Sequence, residues 1–214
     1  MQTSAETFVN RTTRRSNWLV ACAAVALSAT VAWPQAVHAD AQGTIVLPVI
    51  PDNLQVPAGN TVFLEGHAVG TQGYVCLPTA TGFAWTFYGP QATLFDDNDE
   101  QIITHFLSPN PVESGAPRAT WQDSSDTSAG WGKAIATSTD ANFVAAGAIP
   151  WLLLQVVGAQ PGPTNGATLA SITYIQRLST SGGVAPSTGC AQSTDVGSKA
   201  LVHYTANYFF YKAE

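Results

Sequence analysis

A-L-V-H-Y-T-A-N-Y-F-F-Y, residues 200–211, is a run of β-branched and aromatic side chains that no proline or glycine interrupts. At about 3.3 Å per residue it is long enough to cross a whole sheet. Working outward, the chain repeats the theme on a shorter scale. Brief β-branched or aromatic runs are separated, about every 10 to 15 residues, by clusters of Gly, Pro, Ser, Thr or Asn. That spacing predicts an all-β fold, an antiparallel β-sandwich or distorted barrel with long loops, rather than alternating helices and strands.

The individual strands follow from period-two alternation. A first strand is expected over 44–49, stopped by Pro48 and Pro51. A second over 61–70 places Val62, Leu64 and Gly66 on one face and Phe63, Glu65 and His67 on the other. Residues 73–77 point Tyr74 and Cys76 the same way. Residues 81–88 align Phe83, Trp85 and Phe87 as a core face and end at Gly89-Pro90. The acidic run Asp96, Asp97, Asp99 and Glu100 reads as a tight turn in water. It fails as a calcium loop, with no central glycine and no glutamate where the twelfth ligand belongs. Residues 101–106 form a strand delivering His105 to the stretch 108–119, whose prolines and glycine argue against a regular element. Further strands are expected over 131–137, 169–178 and 149–157. The last, I-P-W-L-L-L-Q-V-V, is apolar on both sides and is the firmest core segment. In 169–178, Ile172, Tyr174, Gln176 and Leu178 share a face, while 180–189 is a loop. Residues 140–147 are the one expected short helix, capped by Asp140.

Residues 1–39 read as a signal peptide. Arg11, Arg14 and Arg15 precede an apolar stretch, and Val37-His38-Ala39 offers small residues where a signal peptidase cuts. The alternative is an uncleaved anchor, but the apolar core is short for a span and Pro34 follows it. Residues 40–214 then form a single domain, with no internal repeat and no linker. The best later candidate for a span, 143–158, is interrupted by Gly147, Pro150 and Gln155. The expected location is secreted or periplasmic, with association to the cell surface as a variant.

After the leader the chain keeps Arg118, Lys133, Arg177, Lys199 and Lys212 against all but one of its 14 acidic residues. Such a field repels a phosphate backbone, so nucleic acid is not an expected partner. Cys22 leaves with the leader, and the remaining Cys76 and Cys190 are most simply one disulfide in an oxidising compartment.

The stretch T-H-F-L-S-P-N-P-V-E-S-G-A-P-R-A-T-W-Q-D-S-S-D, residues 104–126, raises the functional question. His105, Trp121, Asp123, Asp126 and Trp131 could form a ligand-binding lip on loops presented by a rigid sheet. Arg177, on an alternating strand, could clamp a ligand carboxylate through its fork. Its plainer role is a salt bridge or carbonyl contacts that pin the loop at 180–189. His67, His105 and His203 could hold a transition metal only if the fold converges them, since no pair has ligand spacing. Ser124 or Ser125 with His105 and Asp126 can be written as a hydrolase triad, and Glu65 with Asp123 or Asp126 as a glycosidase pair. No G-x-S-x-G motif supports the first, and sequence cannot supply the distance for the second.

Several motifs in order carry a resemblance: G-T-Q-G-Y-V-C at 70–76, the region from His105 to Trp121 with D-S-S-D, I-P-W-L-L-L at 149–154, I-Q-R-L-S-T-S-G-G-V-A-P at 175–186 with Cys190, and H-Y-T-A-N-Y-F-F-Y at 203–211. Together they resemble DUF3455, a family of secreted bacterial and fungal proteins carrying a domain of unknown function. The resemblance implies an exported, surface-associated single domain and supplies no reaction. Some fungal members carry dehydrogenase names, yet this chain has no strand-bounded G-x-G-x-x-G and no doubly wound pattern. The family pattern has Asp-Gly-Ser after the tryptophan, where this chain reads Asp123-Ser124-Ser125-Asp126.

The resulting expectation is a noncatalytic extracellular binding or structural domain, its partner a carbohydrate, an envelope component or a small ligand, with no cofactor. The rival is a metal-dependent or hydrolytic enzyme using His105 and nearby acids. Clustered histidines would favour the rival, and separated ones beside aromatic surface would favour binding.

Overall fold

The computed structural model describes residues 44–214. The expected signal peptide, 1–39, lies outside the described residues. Eight strands follow one another: β1 (Asn60–Thr79), β2 (Gly82–Phe95), β3 (Gln101–Asn110), β4 (Ala116–Asp123), β5 (Ala129–Ser138), β6 (Trp151–Gln160), β7 (Ile172–Gly182) and β8 (Lys199–Ala213). Each pairs antiparallel with the next, and β8 pairs back onto β1 to close a barrel. Of the two architectures the sequence allowed, the chain adopts the barrel, whose closure pairs every strand on both sides while leaving residues 82–91 of β2 without a β3 partner. Among the described residues no helix is long and apolar enough to cross a membrane.

The segment 200–211 is β8, which pairs with β1 from Asn60↔Ala213 to Val75↔Lys199 and with β7 on its other side. Its alternation serves two cores. Tyr204, Ala206, Tyr208 and Phe210 point into the barrel with Leu64, Leu94, Ile103, Trp121 and Ile175. Phe209 and Tyr211 point outward into a second cluster with Leu54, Val144, Trp151, Leu153 and Leu178. Residues 44–56 lie across the outer face of the barrel there, with Ile45, Leu47 and Ile50 packed against it. Gln176 ties this arm down, since its Nε2 donates to the Leu54 carbonyl at 2.7 Å while the Tyr211 hydroxyl donates to its Oε1. The same layering explains 149–157: Leu154 faces inward, Trp151 and Leu153 face the arm, and Gln155 alone is exposed.

The structure revises several local expectations. Residues 44–49 are extended chain with no strand partner, because their apolar side chains pack on the barrel wall instead. Residues 61–70 and 73–77 are one strand, β1, with irregular pairing at Val62/Leu64 and at Gly73/Tyr74. The first irregularity divides the expected face, sending Leu64 to the inner core and Val62 to the outer cluster. A similar shift at Ile172/Tyr174 puts Ile172 inside, whereas Tyr174, Gln176 and Leu178 face out. Strand β2 runs straight through Gly89-Pro90. Pro90 is tolerated because its pairing with β3 begins only at Ala92, so its missing N–H breaks no ladder on that side.

Phe83, Trp85 and Phe87 are not a core face. They lie where the β1–β2 hairpin runs on toward its tip, and Phe87 is 48% exposed. Trp85 Nε1 donates to the Thr188 carbonyl of the 183–198 loop, and Cys76 is joined to Cys190 of that loop by a disulfide. Residues 108–119 are not a free loop but the end of a β3–β4 hairpin, with Pro109 facing Pro117. The expected helix at 140–147 is a set of turns. Asp140 does cap the first, its side chain accepting from Asn142 N. The acidic run is the β2–β3 turn, organised by Asp96 Oδ1 accepting from the amides of Asn98 and Glu100.

Candidate functional site

Strand register brings His105 and Trp121 together. They are direct partners across β3 and β4, so both side chains project inward. Their rings stack with centroids 4.3 Å apart and 12° between planes. Tyr208 from β8 packs against both, its ring 5.2 Å from that of His105 and 5.6 Å from that of Trp121. His105 Nδ1–H donates to the Thr120 carbonyl at 2.8 Å. Because a carbonyl only accepts, this fixes the neutral tautomer with Nε2 as an acceptor. Burial pulls the His105 pKa from 6.5 down to about 3, opposed by the Thr120 carbonyl and helped by the charge of Arg177.

Arg177 pairs with Tyr208 across β7 and β8 and enters the same space. Its Nε and Nη2 donate to the Pro150 carbonyl at 3.3 and 2.8 Å. This is the carbonyl contact anticipated for it, although it pins the start of β6 rather than the loop after β7. No carboxylate meets it, for the ion pairs among the described residues are His67–Asp97 and Arg118–Glu113. Burial pushes the Tyr208 phenol pKa up, and the Arg177 charge offsets part of that rise.

Between these groups lies a cavity of about 170 Å³. Gln72, His105, Trp121, Arg177 and Tyr208 are its polar lining, and Pro90, Leu152 and Leu154 contribute apolar wall. Its space exists because, beside Trp121, β4 and β5 present only the small residues Ala119, Gly132 and Ala134 there. At Gly132 a Cβ would sit 2.9 Å from Trp121 Cζ3, so the indole occupies the room a side chain would need. The mouth opens where β2 and β3 part. Their pairing stops at Ala92↔His105, and beyond it the lining residues Phe87 and Leu107 are exposed to solvent. A wider groove of about 380 Å³ on the outer side of this split is shallow and carries no charged side chain.

Two buried donors of the lining make no hydrogen bond among the described residues: Gln72 Nε2 and Trp121 Nε1. Gln72 is near enough to Tyr204 to favour its phenolate, but its amide makes no bond of ordinary geometry. The Tyr204 and Tyr208 hydroxyls approach to 3.4 Å.

The other members of the expected lip are elsewhere. Trp131 pairs with Thr120, so it faces outward, and its Nε1 donates to Ser108 Oγ beneath the β3–β4 hairpin. Asp123 lies one pleat beyond Trp121, where its Oδ1 accepts from the amides of Ser125 and Asp126 and closes the β4–β5 turn. Asp126 accepts from the amides of Ser128 and Thr168. Burial opposes its ionisation, but these bonds win and hold its pKa below the usual carboxylate range. The stretch 104–126 is therefore two strands and a turn rather than a loop, and both tryptophans are buried, leaving no indole face as a surface platform.

The histidines do not converge. His67 faces outward, bonded to Asp97 at 2.8 Å and to Asn207 at 3.2 Å, and His203 is exposed. No group of three or more His, Cys, Asp or Glu among the described residues could hold a metal. The triad on paper is not assembled, since Ser125 Oγ donates to Asp123 while His105 is stacked inside the barrel. Glu65 pairs with Phe209 on the outer face and accepts from Asn207, apart from the Asp123 turn. No clear catalytic machinery is present among the described residues.

Sequence reading singled out three of the cavity's polar residues, His105, Trp121 and Arg177, left Tyr208 among the aromatics able to stack on a ligand without assigning it to the site, and missed Gln72. The available signal was polarity out of place. Gln72 follows Leu64, Gly66, Ala68 and Gly70 at period two, a polar side chain ending an otherwise apolar inward series.

The family model for Protein of unknown function (DUF3455) matches residues 57–212, which takes in all eight strands but for the last residue of β8, and the chain belongs to this family. No match was found among curated proteins or among solved structures.

Proposed function

We propose that this DUF3455 member is an exported, noncatalytic binding domain that takes one small ligand into the mouth of its barrel. The supporting observation is the cavity beside His105, Trp121 and Arg177, open to solvent between β2 and β3 and walled mainly by apolar side chains. Eight-stranded barrels enclose either a filled core or one small ligand. Here the lower interior is filled by Leu94, Ile103 and Phe210, while the small residues of β4 and β5 leave the upper part unfilled. An engineered apolar cavity of about 150 Å³ accepts benzene, so the space matches a six-carbon ring.

The test is calorimetric titration with benzyl alcohol, a neutral probe of that size, on the wild type and on Ala134→Leu, whose side chain grows into the cavity. The reading requires saturable binding to the wild type and its loss in a variant that retains the wild-type circular dichroism and melting cooperativity. Equal uptake by both proteins, or uptake by neither, overturns it.

A further inference from the structure

The cavity brings one cation and two unpartnered donors together, and from this we infer the chemistry of its ligand: the site takes a small organic carboxylate, with Arg177 as its counter-ion and Gln72 and Trp121 as additional donors. The inference rests on the binding reading above and specifies the ligand class.

Three observations carry it. First, Arg177 brings a permanent positive charge to the barrel interior with no carboxylate in ion-pair range. Two of its nitrogens are spent on one backbone carbonyl and the guanidinium is within hydrogen-bonding reach of the Tyr208 hydroxyl, which leaves part of its five N–H donors for a ligand. An interior charge without a counter-charge is costly, and a planar guanidinium with free N–H groups matches a carboxylate more closely than it matches a neutral oxygen.

Second, Gln72 and Trp121 are 3% and 1% exposed, and each leaves a donor without a partner while lining the cavity. A buried donor left unsatisfied is costly, and here two line the same cavity as the cation. Donors of this kind are satisfied by an acceptor-only group, and an ionised carboxylate is one that also carries the charge opposite to that of Arg177.

Third, no acidic side chain lines the cavity to compete for these donors. His105, the one other titratable ring there apart from the tyrosine, is 2% exposed, and that burial keeps it neutral against the pull of its bond to Thr120, so it adds no second cation. The ligand is thus a monoanion rather than a dianion. The apolar walls and the 170 Å³ volume fit a hydrocarbon body the size of a benzene ring.

The experiment titrates benzoate, benzamide and benzyl alcohol, with sodium phosphate as an inorganic anion, into the wild type, Arg177→Met, Arg177→Lys and Gln72→Leu at pH 7. The expected result is benzoate binding at least tenfold tighter than either neutral probe. Arg177→Met should erase that preference, bringing the benzoate and benzyl alcohol affinities of the variant within about threefold of each other. Arg177→Lys, which keeps the charge without the fork, should retain part of it. Gln72→Leu, which removes a donor but no charge, should weaken benzoate more than benzyl alcohol and remains informative if Arg177→Met fails to fold. Benzoate no tighter than benzyl alcohol overturns the carboxylate inference and leaves the binding domain standing. Phosphate matching benzoate overturns the organic-ligand claim. No binding of any probe overturns both readings.

Discussion

The imidazole of His105 lies flat on the indole of Trp121, 4.3 Å between centroids, because the two residues face each other across the β3–β4 ladder. The stack sits in the barrel interior, where His105 is 2% exposed, so its chemistry is that of a neutral ring. A charged imidazolium there would face Arg177 in a medium that screens poorly.

That placement fixes the sign of a pH effect. The His105 pKa falls from 6.5 to about 3 on folding, so between those values the unfolded chain binds a proton that the folded chain refuses. Stability therefore decreases as pH drops from 6.5 toward 3, by on the order of 1.4 kcal/mol per pH unit from this residue. His105→Phe keeps an aromatic stack but cannot titrate. At pH 7 it should be less stable by about 1–3 kcal/mol, because the Thr120 carbonyl loses its donor. Urea unfolding of both proteins from pH 7 to pH 4 should show the gap closing, and parallel curves would remove His105 as its origin.

The disulfide should be worth more than the contacts beside it. Cys76 and Cys190 are separated by 114 residues, for which the chain-entropy model gives about 5 kcal/mol. The loop is also held by Cys76 N donating to the Ser198 carbonyl, Gly197 N donating to the Cys76 carbonyl, and the Trp85 indole donating to Thr188. Replacing both cysteines with alanine should cost roughly 3–5 kcal/mol. It should also shift the emission of Trp85 as the loop loosens. A cost below about 1 kcal/mol would mean that the backbone bonds alone hold the loop.

What the sequence revealed depended on whether a pattern had one cause. The run 200–211 could only be a long strand, and 149–157 could only be buried, although the reason for its second apolar face lay in residues 44–56, about a hundred positions away. Phe83, Trp85 and Phe87 have the period of a core strand, yet their hairpin outruns the barrel. Nothing local distinguishes the two situations. Residues 111–115 hid a turn behind prolines. Once that turn is centred near Glu113, His105 and Trp121 fall opposite each other by counting. Trp131 could not be assigned a side until its partner Thr120 was known. The cavity was beyond reach because it depends on side-chain sizes from several strands, including Ala119, Gly132 and Ala134, whose contribution is what they lack.

Asp126 links two connections at the end of the barrel where β4 passes to β5. Its carboxylate takes the Ser128 amide of its own turn and the Thr168 amide of the β6–β7 connection. Asp126→Ala should lower stability at pH 7 by about 1–2 kcal/mol, leaving both amides to water or to each other's loop. Since the folded pKa is depressed, this stabilisation is present above the unfolded carboxylate pKa and is lost as pH falls through it toward the folded value. Thermal melts of wild type and Asp126→Ala should therefore converge in acid. A constant difference down to pH 3 would assign the effect to packing rather than to the ionised carboxylate.

Gln176 is the one fully buried amide that joins the arm to the barrel, donating to the Leu54 carbonyl and accepting from the Tyr211 hydroxyl. Burial pushes the Tyr211 pKa up to about 12, so the phenol stays protonated and remains a donor throughout the neutral range. Gln176→Leu conserves volume but leaves a carbonyl and a hydroxyl unpaired in the outer core. Each should cost about 1–3 kcal/mol, and the loss should concentrate in residues 44–56 because the interior cluster does not touch the amide. Hydrogen exchange should show faster exchange at the Leu54 amide, which otherwise donates to the Pro51 carbonyl, with little change in the β3–β4 ladder. Uniform acceleration across the barrel would mean that the arm and the barrel unfold as one unit, and Gln176 would then be a core residue rather than the arm's tether.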